Sequence, residues 1–260
     1  MTYPHIDPVI VHIGPLAIRW YGLMYLLGFV AAYFLIRHLS RRRNLGLSAD
    51  GLSDLLFYCV LGVILGGRIG YTLFYNFSYY VHHPLEIFMV WEGGMSFHGG
   101  LLGVVVAAVL FCRRRHLPTL LTGDILVAAA PIGLGLGRIG NFINGELWGR
   151  VSDVPWAMVF PNAGPLPRHP SQLYEAILEG PVLFTVLWLL HRRKVSAGIP
   201  FFTFFLLYGC FRFTVEFFRQ PDQQLGFLSL GFTMGQWLSL PMILFGLVGL
   251  LVVRGRGNNG

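Results

Sequence analysis

Residues 117–139 read LPTLLTGDILVAAAPIGLGLGRI, and the chain continues over residues 140–149 as GNFINGELWG. The first part is a continuous apolar run of the length that crosses a bilayer as an α-helix, about 20 residues. Its polarity does not alternate, so it does not fit a strand of a closed barrel. An open sheet is excluded at that depth, because its edge groups would find no partner in hydrocarbon. Six further runs of the same kind lie at roughly 18–36, 52–74, 95–112, 173–190, 198–218 and 228–253. The expected fold is therefore all-α: a polytopic integral membrane protein of about seven transmembrane helices. A single transmembrane domain is expected over residues 1–260. The connection at about 140–172, with Pro155, Pro161, Pro165, Pro167 and Pro170, is expected to form a small extramembrane cap.

Composition agrees. The 260 residues are 55% hydrophobic and only 12% charged, against about 25% charged in an ordinary soluble domain. Too little polar surface is available to cover a water-soluble globule, and the chain is far too apolar to be disordered. The net charge is +7, but the basic residues sit in short clusters between apolar runs, not interleaved with aromatics. That pattern signals topology and excludes a nucleic-acid partner. Cys59, Cys112 and Cys210 fall one each in different runs, which suggests neither a disulfide framework nor a metal knuckle.

Orientation follows from the basic clusters. Arg37, Arg41, Arg42 and Arg43 follow the first run, Arg113–Arg115 the third, Arg192, Arg193 and Lys194 the fifth, and Arg254 and Arg256 the seventh. The opposite connections hold only Arg150, Arg168 and Arg219. The positive-inside rule then places the N-terminus outside and the C-terminus in the cytoplasm. Residues 1–17 carry no Lys or Arg, so the first run reads as a retained span and not as a cleaved signal.

Several polar residues stand where lipid tolerates them poorly. In this orientation Arg19, Arg68, Arg138, Arg212 and His98 all fall toward the outer face and imply a polar cavity there. Arg19 reads as a side chain snorkelling to headgroups. Arg68 and Arg212 read equally as structural or as functional; Arg212 can pair with Glu216 one turn on. Arg138 reads as functional because of its company: Asn141, Asn144, Glu146 and four glycines within Gly137–Gly149. Glycines admit close backbone approach, the arginine fork matches phosphate oxygens, and Asn and Glu bind hydroxyls. Phosphate plus hydroxyls at a membrane face describes a glycerophospholipid headgroup. A second constellation, Trp91–Gly100, centres on His98, which can take a proton near neutral pH. In a third, Tyr208, Arg212, Glu216 and Arg219 share one helical face. The tetrapeptide Gly67-Arg68-Ile69-Gly70 recurs as Gly137-Arg138-Ile139-Gly140, and glycines at four-residue spacing (Gly62/Gly66/Gly70, Gly99/Gly103, Gly133/Gly137) read as close helix packing.

At these residues the sequence resembles the bacterial prolipoprotein diacylglyceryl transferase family. The likeness rests on Gly137–Gly149, on Arg19-Trp20-Tyr21-Gly22, on His98-Gly99-Gly100, on His169-Pro170-Ser171-Gln172-Leu173-Tyr174-Glu175 and on the Tyr208–Arg219 stripe. It implies transfer of the diacylglyceryl group of phosphatidylglycerol to the lipobox cysteine thiol of a preprolipoprotein. A thioether forms and glycerol phosphate leaves, as the first step of lipoprotein maturation. It implies membrane lipid as the medium, no metal or organic cofactor, and the inner membrane as location, with the site near the periplasmic leaflet. His98 is then the candidate base, and Arg138 and Arg212 the catalytic arginines that hold phosphate. Tyr21, Arg68, Asn141, Asn144, Glu146, Tyr208, Glu216 and Arg219 complete the substrate-binding set. A polytopic anion or lipid transporter is the rival reading. Against it, the charges gather at one face instead of lining a path across the bilayer.

Overall fold

The computed structural model describes all residues except 5, 15, 90–92, 222–225 and 258–260, and all of their side chains except those of residues 16, 97, 98, 256 and 257. Each of the seven apolar runs lies mainly on a helix, although the last, expected from 228, becomes α-helical only at Met234. The helices are α1 (Trp20–Arg42), α2 (Ala49–Phe74), α4 (Phe97–Arg114), α5 (Thr119–Ile143), a broken helix over Ser171–Arg192, α8 (Ile199–Val215) and α9 (Met234–Gly257). A short α3 (Phe77–His82) lies between α2 and α4. The helices α1, α2, α5, Ser171–Arg192 and α9 are long and apolar enough to cross a membrane, and α8 is a shorter apolar helix. Apolar side chains face outward on them: Phe29 is 60% exposed and Leu251 64%, whereas Glu175 and Glu179 are 0% exposed. That inversion is what a lipid solvent demands.

Two further boundaries differ from the sequence expectation. The chain opens with an antiparallel hairpin, β1 (Val9–Ile13) and β2 (Leu16–Arg19), so Arg19 ends a strand and the helix starts only at Trp20. β-branched Val9, Ile10, Val11, Ile13 and Ile18 favour the extended form, and Gly14 at φ +59° supplies the turn. At the other end of the chain α8 stops at Val215, and Arg219 instead bridges to Gly149. The proposed common face of Tyr208, Arg212, Glu216 and Arg219 is therefore helical only as far as Glu216, the C-cap.

Two compact units are distinguished, residues 37–123 and residues 1–36 with 124–260. In the first, α2 and α4 approach to backbone contact. A Cβ on Gly62 would strike the Gly103 carbonyl, and one on Gly66 the Gly99 carbonyl. Serine caps start both helices: Ser48 Oγ accepts from Gly51 N at 3.0 Å and Ser96 Oγ from Gly99 N at 3.2 Å.

In the second unit, α5 meets the Ser171–Arg192 helix through a glycine pair. A Cβ on Gly135 would lie 3.0 Å from the Gly180 Cα. Gly180 sits in a π-turn, Leu178–Val182, that joins α6 (Ser171–Ile177) to α7 (Leu183–Arg192). Pro181 forces this opening, because it has no N–H and its ring clashes with the carbonyl four residues back. The close pair is thus Gly135·Gly180; Gly137 has open space where a Cβ would stand. Helices α8 and α9 pack in the same way, with Gly246 against the Phe202 and Leu206 backbone. Over residues 144–170 the chain is irregular, tied by short bridges between Val151 and Arg168 and between Met158 and Arg168. Its small core is Tyr3, Phe142 and Phe160, and the Tyr3 hydroxyl donates to the Phe142 and Ile143 carbonyls at 2.5 and 2.8 Å.

Candidate active site

The close approach of Gly135 to Gly180 places Arg138, less than one turn farther along α5, against Glu175 and Glu179. Arg138 Nη1 lies 2.9 Å from Glu175 Oε2, and Arg138 Nε lies 3.1 Å from Glu179 Oε2. The other Glu175 oxygen, Oε1, is 2.8 Å from Arg212 Nη1 and 3.4 Å from Arg219 Nη1. Arg212 Nη1 also reaches Glu216 Oε2 at 2.6 Å. Gly235 at the start of α9 makes room for that carboxylate, since a Cβ there would stand 2.8 Å from Glu216 Cδ. Tyr208, 5% exposed and stacked on Phe204, lies one turn before Arg212 among the same charges.

Three guanidiniums and three carboxylates therefore form one network, and their formal charges cancel. Such a cluster survives burial only because each ion is paired; an isolated charge here would cost several kcal/mol. The arginines keep unused capacity. Among the described residues Arg138 Nη2 and Arg212 Nε and Nη2 meet no partner, and each of these two side chains remains 17% exposed.

The segment after Arg138 folds back as a tight turn through Gly145 at φ +64° and Leu147 at φ +58°. Glu146 Oε1 accepts from Asn141 Nδ2 at 2.8 Å and from Asn144 Nδ2 at 3.3 Å. The start of α6 clamps the turn: Gln172 Nε2 donates to the Glu146 carbonyl at 2.6 Å and Ser171 Oγ to that of Leu147 at 3.1 Å. Tyr21, in the first turn of α1, packs against Gly140 and lies beside Asn141. Gly149 admits no side chain, because a Cβ would stand 2.5 Å from the Phe218 carbonyl and 2.6 Å from His169 Cβ. His169 Nδ1 is hydrogen-bonded to the Tyr174 hydroxyl at 3.0 Å, and burial lowers the histidine's pKa below its usual value. A cavity of about 380 Å³ opens alongside, lined in part by Trp148, Arg168, Arg219 and Gln220.

Nine of the eleven expected site residues thus lie in two adjoining clusters: Arg138, Arg212, Arg219, Glu216 and Tyr208 in one, and Tyr21, Asn141, Asn144 and Glu146 in the other. Arg68 belongs to the unit of residues 37–123. It is 4% exposed and donates to backbone carbonyls: those of Glu86, of Ile87 at 2.7 Å and of Gly93 at 2.6 Å. Its guanidinium also lies over the Tyr80 ring at 5.1 Å. His98 falls in the first turn of α4, but its side chain, like Trp91 and Glu92, lies outside the described residues.

Sequence reasoning passed over the centre of the network. Glu175 figures only as the last residue of the His169–Glu175 likeness, and Glu179 belongs to none of the expected sets. Two glutamates four residues apart inside an apolar run were the available signal, since such a pair shares one helix face and needs cationic partners.

The sequence model described as prolipoprotein diacylglyceryl transferase matches residues 8–252. The chain belongs to this family. It is 59% identical over 256 residues to the phosphatidylglycerol–prolipoprotein diacylglyceryl transferase of Geobacter sulfurreducens, covering 98% of each chain. It is 57% identical over 247 residues to the protein of that name from Coxiella burnetii, covering 95% of each. With that from Bordetella parapertussis it shares 55% over 258 residues and 98% of each chain. A match of this length takes in the network, the Asn141–Gly149 turn and the Ser171–Glu175 clamp together.

Proposed function

We propose that the protein transfers the diacylglyceryl group of phosphatidylglycerol to the lipobox cysteine thiol of a preprolipoprotein. Membership of the transferase family supports the reaction. The single geometric observation that supports its site is the pair of partly open guanidiniums, Arg138 and Arg212, held on opposite oxygens of one buried carboxylate. The rival transporter reading finds no support: all three relatives named above are transferases.

In the reaction the cysteine thiolate attacks the glyceryl carbon bearing the phosphate ester. A C–S bond forms, the C–O bond breaks, and the electron pair leaves with glycerol phosphate. The thiol proton goes to a base, for which His98 is the candidate. The headgroup phosphate carries one negative charge as a diester and up to two as the departing monoester. The unused N–H groups of Arg138 and Arg212 suit that developing charge, and Glu175 holds them in place before substrate arrives, so little reorganisation is needed. Asn141 and Asn144, both hydrogen-bonded to Glu146, supply with it groups for the headgroup hydroxyls, and Tyr21 and Tyr208 hydrogen-bond substrate or orient the arginines. The basic clusters at the ends of α1, α4, α7 and α9 support a periplasmic N-terminus and cytoplasmic C-terminus, and with them a site near the periplasmic leaflet of the inner membrane.

The test uses purified protein in phosphatidylglycerol-containing micelles with a lipobox peptide, read by mass spectrometry for the diacylglyceryl adduct on cysteine. The wild type is expected to give the adduct and folded Arg138→Ala none. An adduct with both would move the site; no adduct with folded wild type would overturn the function.

A further inference from the structure

Far from the arginines along the helix axes, the second unit holds a buried carboxylate that the reaction does not use. Asp124, near the start of α5, is 0% exposed. Its Oδ2 accepts the Gly198 N–H at 2.8 Å and its Oδ1 accepts the Phe201 N–H at 2.8 Å. These are donors of the first turn of α8, whose N-cap residue, Gly198 at φ +97°, has no side chain to cap with, and whose Pro200 has no N–H. Asp124 therefore caps a neighbouring helix from a distance, with its negative charge at the positive end of that helix. The Asp124 carbonyl in turn lies 3.0 Å from Nε2 of His191, another fully buried residue, near the end of the helix that carries Glu175 and Glu179. One residue thus touches all three helices whose opposite ends build the charge network.

The spacing is matched. Fourteen residues separate Asp124 from Arg138 on α5, and fourteen separate Gly198 from Arg212 on α8. Each interval is about 21 Å of helix. Pinned together at Asp124, the two arginines arrive level, one on each oxygen of Glu175 at 2.9 and 2.8 Å. A slip of one residue would move an arginine by about 1.5 Å along the axis, enough to break either contact.

Resting on the transferase reading, we propose that Asp124 is a positioning residue: it sets the register of α8 against α5, and so the placement of Arg138 and Arg212 on Glu175. Misplacing a catalytic group by about 1 Å from afar can cost on the order of a hundredfold in rate.

The test measures adduct formation in phosphatidylglycerol micelles for Asp124→Ala and Asp124→Asn, each also combined with Glu175→Gln. Asp124→Ala is expected to lower kcat about a hundredfold with the lipid KM within about threefold. Asp124→Asn, which keeps one carbonyl acceptor, is expected to retain about a tenth of wild-type kcat. In the Glu175→Gln background, with its residual rate followed by long incubation, the further loss from Asp124→Ala is expected to shrink to under threefold, because residues acting through one network are not additive. Spin labels at Ile139→Cys and Thr214→Cys, with the native cysteines replaced by alanine, are expected to shift in separation when Asp124 becomes alanine. Folded variants with wild-type kcat, equal losses in both backgrounds, or an unchanged label distance would each overturn the proposal. If Asp124→Ala does not fold, Asp124→Asn carries the same comparisons. Wild type without adduct would instead sink the transferase reading itself.

Discussion

The same four residues, Gly-Arg-Ile-Gly, occur at 67–70 near the end of α2 and at 137–140 near the end of α5, and their arginines have opposite fates. Arg68 donates to the carbonyls of Glu86, Ile87, Gly93 and Gly94 and makes no ion pair among the described residues. Arg138 is paired with two buried carboxylates and keeps Nη2 open. Carbonyls saturate a guanidinium and tie down a connection; carboxylates orient it while leaving a donor for a ligand. The local sequence cannot make that distinction. It is made by what the fold brings opposite: the backbone of residues 86–94 for Arg68, and Glu175 and Glu179 for Arg138.

The largest expected effect comes from removing the charge that makes the second environment different. Glu175→Gln leaves Arg138, Arg212 and Arg219 to share two carboxylates. Breaking a buried pair costs about 3–5 kcal/mol, which corresponds to a rate loss on the order of a thousandfold if the geometry fails with it. Adduct formation should fall to that level, and the thermal midpoint in detergent should drop. Normal turnover in a folded Glu175→Gln protein would mean that the arginines need no common carboxylate, and the contrast with Arg68 would lose its basis.

Next in size is the paired substitution of the arginines themselves. A lysine keeps the charge but loses the fork. Arg138→Lys should lower kcat about a hundredfold, the scale for losing one preorganised donor to a developing oxyanion. Arg68→Lys forfeits carbonyl bonds worth about 1–3 kcal/mol in total, so the thermal midpoint should fall while the lipid KM moves less than about threefold. A tenfold rise in that KM would show that Arg68 also reads the headgroup, as the sequence had suggested.

These contrasts also mark where the sequence was legible. Apolar runs of span length are set by composition alone, and each lies mainly on a helix. The Asn141–Glu146 cluster was legible because its members are neighbours in the chain. The pairing of Arg138 with Glu175 and Glu179 was not, because it depends on the π-turn at Gly180-Pro181 and on Gly135, which together decide how closely two distant segments meet. The hairpin over residues 9–19 was missed for another reason: its β-branched apolar residues lead directly into the first span, and hydropathy does not distinguish strand from helix there. The early stop of α8 was missed because the Phe-rich run continues past Val215, whereas the chain turns to bridge Arg219 to Gly149.

The glycines divide the same way, with smaller effects. Gly62→Ala would drive a methyl into the Gly103 carbonyl, an overpacking penalty of about 1–3 kcal/mol. It should lower the thermal midpoint and leave kcat per folded molecule within about twofold, because Gly103 lies more than a helical turn beyond His98, the candidate base. Gly135→Ala inserts a methyl 3.0 Å from Gly180 Cα and pushes α5 from the π-turn. Its stability loss should be comparable, but kcat should fall about tenfold or more, since Arg138 moves with the helix. Equal kcat losses for the two would show that close helix packing alone, and not the alignment of Arg138, limits the rate.

Gly137→Ala is the smallest and the most discriminating change. Nothing lies within 4 Å of where its Cβ would stand, and alanine favours a helix over glycine by about 1 kcal/mol. The protein alone therefore predicts an unchanged or slightly raised thermal midpoint. If the space beside Arg138 is where the lipid headgroup sits, the methyl meets the substrate instead of the protein. The lipid KM should then rise about tenfold, the low end of the scale for one misplaced methyl in a binding site, with stability retained. A Gly137→Ala protein unchanged in both KM and midpoint would place the headgroup on the Arg212 side of Glu175, and would make Arg212, not Arg138, the first arginine to meet phosphate.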